Sequence, residues 1–127
     1  DYDFSFSGLK TALALYLRAH PDALPADVAA SLQESVVDVL AEKTLRAARA
    51  KEVKRVIVVG GVAANSRLRE RLLDEGQRLG YAIFFPSMAL CTDNAAMIAA
   101  VAHFKYQQGE QAALTLSPEP SLEIPNT

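Results

Sequence analysis

The run Val56-Ile57-Val58-Val59-Gly60-Gly61 constrains this chain more than any other stretch. Consecutive β-branched residues favour a strand. No polar residue interrupts them, so the run predicts a strand covered on both faces, as in a parallel sheet. Gly60-Gly61 ends it. Asn65 or Ser66 then caps a helix from about Ser66 to Leu79, with Leu68, Leu72 and Leu79 directed inward and Arg71 placed to pair with Glu75. Gly80 suits the position just past a helix end. Tyr81-Ala82-Ile83-Phe84-Phe85, stopped by Pro86, is the next strand. The middle of the chain therefore reads as strand, helix, strand: a parallel unit whose crossover is right-handed by rule.

The flanks are more helical. Tyr2, Phe4 and Phe6 alternate with Asp3 and Ser5, which is strand spacing. Ser7 suits the N-cap of a helix from about Gly8 to Ala19, whose apolar stripe is Leu9, Leu13, Tyr16 and Leu17. Pro21 closes it, and His20 to Pro25 is a loop. A long helix from about Pro25 to Lys51 follows, with Leu32, Val36, Val39 and Leu40 at helical spacing. Lys43, Arg46, Arg49 and Lys51 load its last turns, where the helix dipole favours cations. The last helix runs from about Asp93 to Gln108. It is apolar on nearly every side, which predicts burial in a larger body.

The chain has 127 residues, of which 50% are hydrophobic and 22% charged, so it is globular in composition and at most one domain. Its net charge of −2 excludes a whole-chain basic field for nucleic acid. The lone Cys91 excludes an internal disulfide framework and fits a reducing compartment, with the cytoplasm the expected location. The apolar stretch from Ala95 to Ala102 is far short of the ~20 residues that a membrane span needs. Asp1 to Ser7 is acidic and polar, unlike a secretory leader. The chain opens on Asp1 rather than Met, and two parallel strands make no stable sheet alone. It is therefore expected to be a piece of a longer protein. Residues 1–116 form an incomplete domain, and residues 117–127, which hold three of the six prolines, form an extended or disordered tail.

Two stretches carry chemistry, each beside a plainer reading. Gly60-Gly61 lets backbone approach a ligand, and the next helix presents N–H groups suited to a phosphate or nucleoside. It is equally a tight strand-to-helix turn. Asn65 is a helix cap, a ligand contact, or both. Asp93 sits at a helix start, where the dipole holds a carboxylate ionised and available to a cation; it is also a plain cap, and one carboxylate makes no metal site. His20 lies in a loop, and His103 lies about two to three turns further along the same helix, too far from Asp93 to share a metal; His103 reads as a core or rim histidine. The cluster Ser5, Ser7 and Lys10 reads as a helix start with a solvated lysine, and Arg46, Arg49, Lys51, Lys54 and Arg55 as a solvated helix end or a contact for RNA. Cys91 reads as structural.

Three blocks resemble one family in order and spacing: Phe4-Ser5-Phe6-Ser7-Gly8-Leu9-Lys10-Thr11, Gly60-Gly61-Val62-Ala63-Ala64-Asn65 with Leu68-Arg69, and Cys91-Thr92-Asp93-Asn94-Ala95-Ala96-Met97-Ile98-Ala99. Together they are similar to the tRNA adenosine threonylcarbamoyltransferases, formerly labelled O-sialoglycoprotein endopeptidases or glycoproteases. The resemblance implies an α/β fold, part of a ribonuclease-H-like domain of the actin/Hsp70/sugar-kinase superfamily, helix-rich with a short parallel sheet, and the C-terminal part of the family's full length. It implies transfer of threonylcarbamoyl from threonylcarbamoyl-AMP to N6 of the adenosine 3′ of the tRNA anticodon. It implies that Asn65 contacts the adenylate, that Gly60 and Gly61 line its pocket, and that Asp93 is one ligand of a divalent metal, usually iron, sometimes zinc. The family's other ligands, a His-x-x-x-His pair, have no counterpart here. The implied partners are tRNA, a paralogous subunit of the same fold and a P-loop ATPase, with no membrane. The alternatives are a metal-dependent glycoprotease, for which this sequence supplies no general base, and a non-catalytic scaffold fragment, inactive in isolation.

Overall fold

A computed structural model describes residues 2–122. It is helix-rich α/β: α1 (Ser7–Ala19), α2 (Pro25–Ala50), β1 (Arg55–Ile57), α3 (Ser66–Leu79), β2 (Ala82–Phe84) and α4 (Ala95–Gln107), with short 3₁₀ turns at Gly61–Ala64 and Met88–Leu90. The chain divides into two compact units, Asp1–Thr92 and Asp93–Thr127. Among the described residues no helix is long and apolar enough to cross a membrane.

In the first unit β1 and β2 are parallel neighbours, with Arg55 opposite Ala82, Val56 opposite Ile83 and Ile57 opposite Phe84. The crossover helix α3 packs on α2, and both cover one face of the sheet. Val37, Ala41 and Leu45 of α2 and Leu68 and Leu72 of α3 are the buried core, joined by Leu40, Val58, Tyr81, Ile83 and Phe85. Gly76 belongs to this interface. A Cβ there would lie 2.5 Å from Ile83 Cγ1, so a bare backbone lets α3 lie this close to β2. Gly80 ends α3 in the left-handed conformation at φ +76°, as the sequence predicts.

The other face of the sheet is uncovered. Ile57 is 72% exposed, Val59 69% and Phe84 50%. This corrects the expectation of a strand buried on both sides: within the first unit, α2 and α3 pack on one face. The strands are also shorter than predicted, three residues each, although the Val58 N–H still donates to the Phe84 carbonyl at 2.9 Å.

Other expectations shift by about one position. Tyr2 to Phe6 forms no strand. Its alternation instead stacks Phe4 on Phe6, with ring centroids 6.4 Å apart. Lys43 lies over the Phe4 ring and donates to the Asp3 carbonyl, and Arg46 lies over the Tyr2 ring. Helix α1 begins at Ser7 with Phe6 at the cap position, so the predicted Ser7 cap is not made; the Ser7 hydroxyl meets that of Ser5 at 3.2 Å. The buried stripe of α2 is Val37, Ala41, Leu45 and Ala48, rotated from the predicted Leu32, Val36, Val39 and Leu40. Leu79 is 43% exposed, and Gly76 takes the inward place expected of it. Residues 117–122 of the predicted tail carry no helix or strand; residues 123–127 lie outside the described ones.

Candidate functional site

The loop after β1 is built from its glycines outward. Gly60 has φ +92° and ψ 172°, a region that only glycine enters readily. That bend allows the 3₁₀ turn Gly61–Ala64, closed by the Ala63 N–H donating to the Gly60 carbonyl at 3.0 Å and the Asn65 N–H to the Val62 carbonyl at 2.9 Å. Ala63 is buried and anchors the turn. Gly61 differs from Gly60: its φ is ordinary and nothing lies within 4 Å of a Cβ placed there. The fold itself leaves room for a side chain at 61, and the open backbone beside it is accessible to a bound molecule.

Asn65 caps α3. Its Oδ1 accepts the Leu68 N–H at 2.9 Å, and its Nδ2 donates to Gln33 Oε1 on α2 at 3.0 Å. The capping role is thus present in the structure. An amide Nδ2 carries two hydrogens, so a ligand would use the second or displace the exposed Gln33. Asn65, Gln33 and Val62 rim a cavity of about 290 Å³ whose other walls are Leu32, Val36 and Leu40. That is the lower limit for small-molecule sites, and its lining is apolar. It suits a small hydrophobic group and is too small for a whole acyl-adenylate.

Arg69 enters the sequence reading only as part of the glycine-loop block, with no role assigned to it. It lies on the inward side of α3, one residue after Leu68 and three before Leu72. Its Nε donates to the Ala63 carbonyl at 2.6 Å, and its Nη2 to the Pro86 carbonyl at 2.8 Å and to Cys91 Sγ at 3.1 Å. The guanidinium also lies 4.8 Å from the Phe85 ring centroid. Among the described residues none of its partners is a carboxylate. An arginine on the apolar stripe of a helix was the available signal. Cys91 is buried and reduced, as expected of a structural cysteine.

The remaining charges of α3 are structural. Arg67 makes a two-pronged pair with Glu34 of α2 at 2.7 and 2.8 Å and reaches Glu70 at 2.9 Å. The hydrogen bonds from Arg67 hold the Glu34 carboxyl below its usual range. Glu34 in turn raises Arg67, which stays cationic. Arg71 pairs with Glu75 at 2.7 Å, as predicted, and with Asp38 at 3.5 Å. The basic stretch is interleaved with acid: Arg46, Arg49 and Lys54 line one groove with Asp38, Glu42 and Glu75.

In the second unit, α4 is capped by Asn94, whose Oδ1 accepts the Met97 N–H at 3.0 Å. Asp93 therefore stands one residue before the cap, and the first turn contains no acidic residue. The expected helix start at Asp93 is corrected by two positions to Ala95, and the expected cap by one to Asn94; the dipole argument weakens with it, since that effect fades outside the first turn. His103 packs its ring edge-on against Phe104 at 5.8 Å. Among the described residues no three His, Cys, Asp or Glu side chains gather where a metal ion could be held. A lone carboxylate does not fit iron or zinc, which take three or more protein ligands.

The family model for tRNA N6-adenosine threonylcarbamoyltransferase matches residues 1–100. Proteins of that name are similar over nearly the whole chain: 49% identical over 98% of it in Thermotoga neapolitana, 48% over 97% in Bacillus cereus and 47% over 97% in Carboxydothermus hydrogenoformans. The chain spans only 37–38% of the length of these relatives. On this match the chain belongs to the tRNA N6-adenosine threonylcarbamoyltransferase family.

Proposed function

We propose that this chain is the C-terminal portion of a transferase that moves threonylcarbamoyl from threonylcarbamoyl-AMP to N6 of the adenosine 3′ of the tRNA anticodon. The adenosine amine attacks the carbamoyl carbon. The new N–C bond forms as the C–O bond to phosphate breaks, AMP departs with that electron pair, and N6 releases a proton. The observation that carries the reading is the family match over residues 1–100, which takes in the glycine loop and the Asp93 segment together. The parallel β1–α3–β2 unit is compatible with a piece of a ribonuclease-H-like domain of the actin/Hsp70/sugar-kinase superfamily.

Within that reading, Gly60 and Gly61 offer open backbone to the adenylate, and Asn65 contacts it while capping α3. The protein's part is then orientation and fixed dipoles rather than covalent chemistry. Asp93 is one ligand of a divalent metal, iron or zinc. Its companion ligands would come from the rest of the full-length protein. tRNA, a paralogous subunit and a P-loop ATPase are the proposed partners, in the cytoplasm. The segment alone, with one ligand and an apolar cavity, is a scaffold inactive in isolation; tight binding of AMP or adenylate to it in a titration would contradict this.

The test uses the full-length protein with tRNA and threonylcarbamoyl-adenylate. Asn65→Ala and Gly61→Val should each cut transfer on the order of 10²-fold. Asp93→Ala should lower both transfer and bound metal. Unaltered transfer in all three would overturn the site, and unaltered metal content in Asp93→Ala would overturn that ligand.

A further inference from the structure

We propose that Arg69 is a positioning residue, a three-way clasp from α3 that fixes the glycine loop and the Pro86–Cys91 segment in one register. The glycine loop presents its carbonyl at Ala63, midway between Gly61 and Asn65. The second segment presents the Pro86 carbonyl and Cys91 Sγ. One guanidinium reaches all three, at 2.6, 2.8 and 3.1 Å. Its central carbon lies 4.8 Å from the ring centroid of Phe85, the last residue before Pro86.

The chemistry of the partners sets this arginine apart from its neighbours. Arg67 and Arg71, also on α3, reach carboxylates on α2 or on their own helix and serve helix packing. Arg69 reaches no carboxylate among the described residues. A part-buried charge satisfied only by carbonyls, a thiol and a ring is costly to desolvate, and what it gains here is the joining of two loops. Neither loop has a strand ladder to hold it. The planar fork donates in several fixed directions at once; a lysine ammonium is a point charge on a flexible stem and reaches fewer of these acceptors together. The expected consequence, which rests on the adenylate reading of the glycine loop, is that Arg69 governs how well that loop is shaped for its ligand.

Cys91 supplies the readout. It is 3% exposed and seated by the clasp, so its modification by a disulfide reagent reports opening of the Pro86–Cys91 segment. The experiment compares Arg69→Met, Arg69→Lys and Arg67→Met in the full-length protein under native conditions, with Cys91→Ser identifying the signal. Arg69→Met should speed Cys91 modification roughly tenfold or more, because local opening no longer breaks three hydrogen bonds. Arg69→Lys should fall between it and the unaltered protein. Arg67→Met should lower the melting temperature and leave Cys91 protected. The clasp is overturned if Arg69→Met leaves Cys91 as protected as before, or if Arg67→Met exposes it equally. With adenylate and tRNA, Arg69→Lys should raise KM for the adenylate more than it lowers kcat. If Cys91 opens and KM does not move, the clasp stands and the assignment of the glycine loop to the adenylate fails.

Discussion

Helices α3 and α4 begin in the same way and continue differently. Each is capped by an asparagine whose Oδ1 accepts the N–H three residues on, at 2.9 Å for Asn65 and 3.0 Å for Asn94. Beyond the first turn they part. Helix α3 buries Leu68, Leu72 and Gly76, whereas α4 buries nothing, leaving Ile98 68% and Phe104 63% exposed. Starting a helix is a local matter of side-chain oxygen and backbone amide. Giving it a core depends on which surfaces the rest of the chain supplies.

The strongest way to break this comparison is to truncate a buried leucine on one helix and its exposed counterpart on the other. Leu72→Ala should cost about 2–5 kcal/mol, as core truncations do. Ile98→Ala in the 127-residue chain should stay within about 0.5 kcal/mol. Chemical denaturation followed by circular dichroism measures both, and equal costs would show that α4 has a core after all. Next in size is Gly76→Val, which drives a side chain into Ile83 and should cost about 1–3 kcal/mol. If it is neutral, the close approach of α3 to β2 is wrong.

The caps sharpen the comparison at smaller scale. Asn65→Ala and Asn94→Ala should each lose about 1 kcal/mol, with Asn65→Ala the costlier because it also releases Gln33. The smallest effect concerns acid. Glu34 has its carboxyl lowered below 4.5 in the folded chain by the Arg67 hydrogen bonds. A depressed carboxyl stabilises the fold fully above its unfolded value, and the contribution is lost as pH falls through the lower folded value. Stability measured below about pH 4.5 should therefore fall less steeply in Glu34→Gln than in the unaltered chain.

Much of this architecture was legible because its signals are local. The bounds of α2 and α3, the left-handed Gly80, the Asn65 cap and the Arg71–Glu75 pair all follow from neighbours within four residues. The misreadings share the opposite property. Tyr2, Phe4 and Phe6 have strand spacing, but Tyr2 and Phe4 lie under cations on α2, about forty positions away, and Phe6 stacks on Phe4. The inward stripe of α2 depends on where α3 lies, and periodicity alone left it a fraction of a turn off. Gly76 faces inward because Ile83 leaves no room there for a side chain, a contact that lies outside the helix's own sequence. The candidate site divides in the same way. Gly60 declares itself by the bend it must make, and Asn65 by its place before a helix. Arg69 offers one sequence signal, an arginine beside the inward leucines of a helix; its three acceptors, the Ala63 carbonyl, the Pro86 carbonyl and the Cys91 thiol, lie on loops that the sequence alone does not bring together.

The bare side of the sheet has a practical consequence. Ile57, Val59 and Phe84 leave apolar surface open on the first unit. Anyone handling this polypeptide should find that it takes up a hydrophobic dye without first being denatured, and that it stays monodisperse when dilute and self-associates as it is concentrated.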